Sequence, residues 1–139
     1  MMEKLSDHFS LEEFTRSVTA ARLGICNEPP VSAISNLQWL CQGVLEPLRE
    51  HAGVPITISS GYRCRQLNDA VGGVKNSQHI SGEAADIHLP NIKTGKVWFE
   101  FIAHHLVFDQ LIWEHGGGAT WIHVSACRNR RNRLGIYNL

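Results

Sequence analysis

Two side chains of types that commonly bind metals lie seven residues apart in the middle of the chain. They are His79 and Asp86, and Gly82 lies between them. His79 is predicted in a loop and Asp86 in the strand that follows, so a turn at Gly82 can bring both side chains to one point. Imidazole nitrogen and carboxylate oxygen both bind Zn²⁺ at about 2.0–2.2 Å. The segment therefore predicts two ligands of a metal site.

A third ligand is expected from a strand further along the chain. His123 lies in the middle of the apolar segment Trp121-Ile122-His123-Val124-Ser125. A lone histidine in such a strand is more often a hydrogen-bonded core residue, but the two other candidates favour a ligand here. Three protein ligands leave one tetrahedral position open for water, which is typical of catalytic zinc and not of structural zinc.

The motif Ser77-x-His79-x-x-Gly82-x-Ala84-x-Asp86 resembles the signature of the D-Ala-D-Ala carboxypeptidase-like zinc peptidases, the peptidase M15 family. Hedgehog signalling domains share the architecture of that family. Two flanking segments match in the same order: residues 59–63 resemble the segment before the signature, and residues 121–125 resemble the third-ligand strand. The resemblance extends from about residue 9 to residue 125 and is strongest to small phage and prophage members, many of which are endolysins.

The resemblance implies a role for each matched side chain. One zinc ion would be held by His79, Asp86 and His123. Arg63 would bind a substrate carboxylate or carbonyl, for which the guanidinium fork is well suited, although a structural salt bridge is the alternative. Ser77 would support the ligand loop by hydrogen bonding, and Gln78 lies close enough in the chain to contact substrate.

The sequence indicates the general base less directly than it indicates the metal ligands. Several branches of the family have a glutamate three residues before the last ligand, where this chain has Thr120, and the nearest glutamate is Glu114. If Glu114 pairs opposite Trp121, it shares a strand face with His123, at a Cβ separation of roughly 7–8 Å. If Glu114 pairs with Thr120, it points to the other face. We predict Glu114 as the base, with His115 as the alternative for proton transfer or oxyanion stabilisation.

One more histidine shares the predicted strand of the second ligand. His88 follows Asp86 by two residues, and alternate residues of a strand lie on the same face. His88 could therefore support the metal ligands from behind, while a partly exposed structural histidine is the interpretation that we favour.

The elements that must position these residues are predicted from periodicity and caps. Ser10 and Glu13 form a capping box for a helix that ends near Gly24. A second helix is predicted at about 31–51, and Pro47 predicts a kink or break in it near Glu46. The remaining elements are strands at 55–59 and 84–89, a short helix at 65–71, a helix at 94–106 with Val97, Phe101 and Ile102 facing inward, and strands at 108–114 and 120–126 joined by a glycine-rich turn at 115–119. Helices followed by a small antiparallel sheet predict an α+β fold, hedgehog- and D-Ala-D-Ala peptidase-like by the resemblance.

Composition predicts one domain over residues 1–139. The chain is 43% hydrophobic and 19% charged with a formal net charge of zero, so no nucleic-acid or acidic-membrane partner is expected. No apolar run approaches the roughly 18–20 residues of a membrane span. The first ten residues lack the apolar stretch of a signal peptide, so we expect the protein to be cytoplasmic as synthesised. We also expect a monomer.

A basic cluster lies near the C-terminus and comprises Arg128, Arg130, Arg131 and Arg133. Such a cluster is either a solvated tail or a contact for a polyanion.

Taken together, the residues and the resemblance predict a zinc metallopeptidase that hydrolyses peptidoglycan stem peptides, of the D-Ala-D-Ala carboxypeptidase or the L-Ala–D-Glu endopeptidase type. A phage or prophage lysin that acts at the cell wall is the expected setting. The alternatives are a non-catalytic zinc-bearing cell-wall binding module or phage structural component, and a cytoplasmic dipeptidase that acts on free D-Ala-D-Ala.

Overall fold

The first half of the chain is mainly helical, and most of the sheet comes from the second half. The computed structural model describes residues 3–129 and the backbone of residues 134–137, so Arg130, Arg131 and Arg133 lie outside the described residues. The helices are α1 (Leu11–Thr15), α2 (Val18–Leu23), α3 (Val31–Leu40), a π-helical turn (Cys41–Leu45), α4 (Glu46–Ala52), α5 (Arg65–Ala70) and α6 (Ile92–His105). The strands are β1 (Lys4–Ser6), β2 (Phe9–Ser10), β3 (Ile58–Ser60), β4 (Ala84–His88), β5 (Gln110–Gly116), β6 (Ala119–Ser125) and β7 (Leu134–Tyr137).

Five strands form the sheet that carries the site, in the order β3-β4-β6-β5-β7. The pairs β3–β4, β4–β6 and β5–β6 are antiparallel, which confirms the predicted α+β fold. The pair β5–β7 is parallel and was not predicted from the sequence. Four residues with an internal glycine give little strand signal, so only the pairing reveals β7.

The hydrophobic core lies between the sheet and the helices α3, α4 and α6. Helix α6 packs against β5, β6 and α4. Ile122 and Val124 of β6 are fully buried in this core. Because side chains alternate across a strand, the residues between and beside them, Trp121 and His123, belong to the opposite face of the sheet.

The N-terminal capping box is confirmed, but the predicted single helix is divided in two. Ser10 and Glu13 cap α1, and Gly24 ends α2 in the left-handed region at φ 68°. Between them the chain is extended at Arg16, and the Ser17 side chain accepts a hydrogen bond from the Ala20 N–H. This second cap starts α2 as a separate helix, because it satisfies an N–H group that a continuous helix would bond internally.

The second predicted helix is continuous, and its irregularity is a π-helical turn instead of a break. The Glu46 N–H donates to the carbonyl of Cys41, five residues earlier. The wider turn immediately precedes Pro47, which has no N–H to give to the helix.

Helix α6 begins at Ile92, two residues before the predicted start, because the Asn91 side chain caps the Thr94 N–H. Its buried face is formed by Gly95, Trp98, Phe99 and Ile102. Of the predicted inner residues, Ile102 is correct, Phe101 is half-buried, and Val97 is 53% exposed. The larger aromatic side chains occupy the core and rotate Val97 outward.

None of the helices within the described part of the chain is long and apolar enough to cross a membrane.

Candidate metal centre

Three potential ligand atoms converge on one face of the sheet. His79 Nε2 lies 3.3 Å from Asp86 Oδ1, and His123 Nδ1 lies 3.1 Å from the same oxygen. All three side chains are buried. Among the described residues they form the only group of three or more His, Cys, Asp or Glu side chains that could hold a metal ion. Asp86 on β4 pairs directly opposite His123 on β6, while His79 comes from the loop before β4. The structure thus brings together the three residues predicted as ligands.

The loop that carries His79 turns at Gly82, as predicted. Gly82 has φ 77°, and a Cβ added there would lie 2.4 Å from the carbonyl oxygen of Ala33. Within this loop, Ser77 Oγ accepts a hydrogen bond from the His79 N–H at 3.2 Å. A backbone hydrogen bond from Arg63 N to His79 O, at 3.0 Å, holds the loop from the other side.

The chemistry of the donor set suits a cation. His79 Nδ1 lies 2.7 Å from the carbonyl oxygen of Gly61, which can only accept, so Nδ1 carries the hydrogen. In the neutral ring, Nε2 then directs a lone pair at the Asp86 carboxylate, and two acceptors at this distance need a positive species between them. Tetrahedral zinc with bonds of about 2.1 Å places its ligands about 3.4 Å apart. The separations of 3.3 and 3.1 Å fit that arrangement.

Asp86 is held as a carboxylate. Burial by itself raises the pKa of Asp86, but with protons in place of a metal on the ring nitrogens, hydrogen bonds from His123 and His79 and the charges of those rings outweigh it. The pKa of Asp86 is therefore well below its usual range, and an ionised carboxylate is the form that binds a metal.

Arg63 is anchored by three neighbours. Its Nε donates to Ser60 Oγ at 3.1 Å, its Nη1 donates to Asn68 Oδ1 at 3.2 Å, and its Nη2 lies 3.5 Å from Asp86 Oδ2. Burial lowers the pKa of Arg63, while the carboxylates of Asp86 and Glu114 act against that shift. A guanidinium has five N–H groups, so two remain after these contacts. Arg63 can therefore form a structural salt bridge with Asp86 and still contact a substrate, so the two predicted alternatives do not exclude each other.

A cavity of about 770 Å³ opens onto the cluster. Its volume lies within the range of about 300–1,000 Å³ that is common for ligand sites. Besides the three potential ligands, its lining includes Arg63, Ser77, Gln78, Glu114 and Trp121.

The register of the β5–β6 hairpin places Glu114 on the face of His123. Glu114 pairs opposite Trp121, and Ile112 pairs opposite His123. The other register considered, with Glu114 opposite Thr120, does not occur. Glu114 Oε1 accepts a hydrogen bond from the indole Nε1 of Trp121 at 2.9 Å.

Two predicted candidates do not line the cavity. His115 pairs with Thr120, is exposed, and contacts Thr120 Oγ1 through Nδ1 at 3.1 Å. Because His115 directly follows Glu114 in the strand, its side chain lies on the opposite strand face. His88 is exposed and lines a separate cavity of about 520 Å³ together with Trp98. The cavity lining therefore includes neither histidine, although His88 shares the strand face of Asp86 and pairs opposite Trp121.

Two buried polar residues of this region were missed in the sequence. Asp109 is fully buried and accepts a hydrogen bond from Gln78 Nε2 at 2.8 Å, while Gln78 Oε1 is buried without a partner among the described residues. Asn68 is also fully buried and bridges Arg63 to the Val74 carbonyl. No single-sequence signal marks either residue, because partners 31 and 5 residues away become neighbours only in the fold.

Comparison with known proteins adds one match. The family model described as Peptidase M15 matches residues 7–125 of this chain. The matched span contains the three potential ligands, Arg63 and Glu114. No curated protein matches the chain.

Proposed function

Because the chain belongs to the peptidase M15 family, which implies a metallopeptidase, we propose that it is a zinc peptidase that hydrolyses the stem peptides of peptidoglycan. The observation that carries this proposal is that three convergent ligand side chains, the Glu114 carboxylate and the Arg63 guanidinium all line one cavity. A purely structural metal site would be closed and would not open onto such a cavity.

His79, Asp86 and His123 would hold the zinc ion, since their donor atoms and separations fit it. When bound by these residues, zinc would supply a Lewis acid toward the scissile carbonyl and toward water. The carbonyl of Gly61 keeps Nε2 of His79 available as a donor by holding the hydrogen on Nδ1.

Glu114 would act as the general base. Its Oε1 is occupied by the Trp121 indole, so Oε2 would take a proton from the attacking water. As the carbon–nitrogen bond breaks, the same proton would pass to the leaving amine. This placement supports Glu114 over His115, which lies on the other face of the hairpin.

Arg63 and Gln78 would orient the substrate. Two N–H groups of Arg63 remain for a substrate carboxylate or carbonyl beyond its contacts with Ser60, Asn68 and Asp86. Gln78 lines the same cavity, and its amide is fixed by Asp109. Both the D-Ala-D-Ala carboxypeptidase and the L-Ala–D-Glu endopeptidase reactions suit this arrangement, and a phage or prophage lysin that acts at the cell wall is the setting that we propose.

The test is mass spectrometry of peptidoglycan fragments after incubation with zinc-loaded protein, with and without a chelator. We expect a chelator-sensitive product whose mass identifies the bond that is cut. Glu114→Gln should lower kcat by about 100-fold or more with zinc still bound, because a general base contributes about 10²–10⁴-fold. Glu50→Gln is the matched control, since Glu50 is exposed on α4 and does not line the cavity.

If zinc-loaded protein forms no product from several types of stem peptide, the proposed peptidase activity is overturned and a non-catalytic binding module is favoured. Product formation that survives Glu114→Gln would overturn the role of Glu114 alone. Activity on free D-Ala-D-Ala without activity on intact sacculi would replace the lysin with a dipeptidase.

A further inference from the structure

Trp121 lies beside the proposed base and transfers no proton in the proposed reaction. We infer that Trp121 is a positioning residue, whose indole N–H fixes the carboxylate of Glu114 toward the metal site. The inference rests on the proposed function, because it assigns to Trp121 an effect on the base of that reaction.

The contact joins two strands at directly opposite positions. Trp121 on β6 and Glu114 on β5 are register partners, and the indole Nε1 lies 2.9 Å from Oε1. Both side chains line the cavity that contains the three potential ligands. A hydrogen bond between cross-strand partners is well suited to hold a side chain in one orientation, because the backbone ladder already fixes both Cα positions.

The indole ring is itself held in place. A Cβ added to Gly116 would lie 3.0 Å from Cη2 and 3.6 Å from Cζ3 of Trp121, so the ring lies close over the bare glycine backbone. The absence of a side chain at Gly116 therefore leaves the space that the ring occupies. Trp121 is also half-buried, which limits the rotamers open to it.

The indole is chemically suited to hold a base without competing with it. Its N–H only donates and does not titrate in the accessible pH range, so it cannot accept the proton that Glu114 takes. Its bond to Oε1 leaves Oε2 free for the attacking water. A glutamate side chain without this bond has several rotamers, and a misplacement of about 1 Å can cost about 100-fold in rate.

The primary test is Trp121→Phe, which retains an aromatic ring and removes the N–H. We expect kcat to fall between about 10-fold and 100-fold, with KM within about twofold and zinc content unchanged, because positioning of the base acts in the transition state. Trp39→Phe is the control, since Trp39 is 45% exposed on α3 and does not line the cavity. In a Glu114→Gln background, Trp121→Phe should cause no further loss, as expected for residues that act as a unit.

A spectroscopic measurement tests the contact without any substitution of Trp121. The indole N–H resonance of Trp121, observed by NMR in the full chain, should move upfield in Glu114→Ala because the carboxylate acceptor is lost. An unchanged resonance would overturn the inference.

The kinetic outcomes separate this inference from the proposed function. If the wild-type protein is active, three outcomes would overturn the positioning role and leave the proposed peptidase function standing. They are an undiminished kcat in Trp121→Phe, an effect of that substitution on KM alone, and additive losses in the double variant. A wild-type protein that cleaves no stem peptide would overturn the proposed function, and the role of Trp121 with it.

Discussion

At the scale of single residues, the two histidines of the cluster present different ring nitrogens to Asp86. His79 offers Nε2 because its Nδ1–H is bonded to the Gly61 carbonyl, whereas His123 offers Nδ1. Gly61 can approach closely because it has no side chain: a Cβ there would lie 2.6 Å from Cα of Phe14. The orientation of a ligand thus depends on a backbone group whose position is set by helix α1.

Glu46 is a second carboxylate whose ionisation is determined by its neighbours. It accepts hydrogen bonds from Ser6 Oγ at 2.7 Å and from the backbone N–H of His8, and its Oε2 lies 2.8 Å from His8 Nδ1. Burial raises the pKa of Glu46, but the hydrogen bonds from His8 and Ser6 outweigh it, so the net pKa is lowered. These bonds connect the β1–β2 hairpin to the start of α4.

The lowered pKa of Glu46 predicts a pH-dependent contribution to stability. Because the folded-state pKa lies below the unfolded-state value, the stabilisation is present above the unfolded pKa and is lost as the pH falls through the folded pKa. We expect Glu46→Gln to lower Tm by about 2 °C at pH 7, a small effect because the pair is partly solvated. The difference from wild type should shrink as the pH falls from about 5 toward 3. Thermal unfolding at several pH values measures this, and a difference that is constant with pH would contradict it.

At the scale of elements, a two-residue turn sets the position of the proposed base. Gly117 and Gly118 have φ 56° and 81°, and a turn with both central residues at positive φ matches the twist of the flanking strands. His115 and Gly116, predicted within the turn, belong instead to β5. The tight turn selects the register in which Glu114 lies opposite Trp121.

The loop between α5 and β4 depends on Gly82 in the same way. Gly82→Ala should lower the free energy of unfolding by about 2–4 kcal/mol, since it combines backbone strain with overpacking against Ala33. It should also weaken zinc binding by at least about 10-fold, because the loop carries His79. Chemical denaturation and a zinc titration measure the two effects.

Gly72→Ala is the matched control for Gly82→Ala. Gly72 has φ 74°, but a Cβ there would meet nothing within 4 Å. We expect a loss of only about 1 kcal/mol and unchanged zinc affinity. Equal losses for the two variants would show that the contact with Ala33 has no effect.

At the scale of the whole molecule, the metal cluster joins segments that are distant in sequence. The His79 loop lies against α3 through Gly82 and Ala33, Asp86 belongs to β4, and His123 belongs to β6. An unfolded chain does not bring these side chains together, so a metal that binds here binds only the folded state. Binding free energy at this site is therefore also folding free energy.

This linkage predicts a large effect of metal on thermal stability. At free zinc about 100-fold above Kd, the stabilisation is about 2.7 kcal/mol, and we expect Tm to rise by about 8 °C over chelator-treated protein. Asp86→Asn should abolish most of that rise, because it removes the charged ligand between the two histidines. Differential scanning calorimetry of both proteins, with and without zinc, is the measurement. An equal rise in the variant would place the bound zinc elsewhere.

The sequence by itself predicted His79 and Asp86, the turn at Gly82 and the capping box from residue types at short spacings, and the order of its elements predicted the α+β fold. His123, 37 residues beyond Asp86, was predicted from its apolar strand and from the family resemblance. It left two registers open for Glu114, since a shift of one residue reverses the face of a strand and only the closed turn decides it. Tertiary structure alone decided the anchoring of Arg63 by Ser60, Asn68 and Asp86. It also left His115 and His88 outside the lining of the cavity. Such contacts depend on packing between distant segments, which local sequence patterns do not determine.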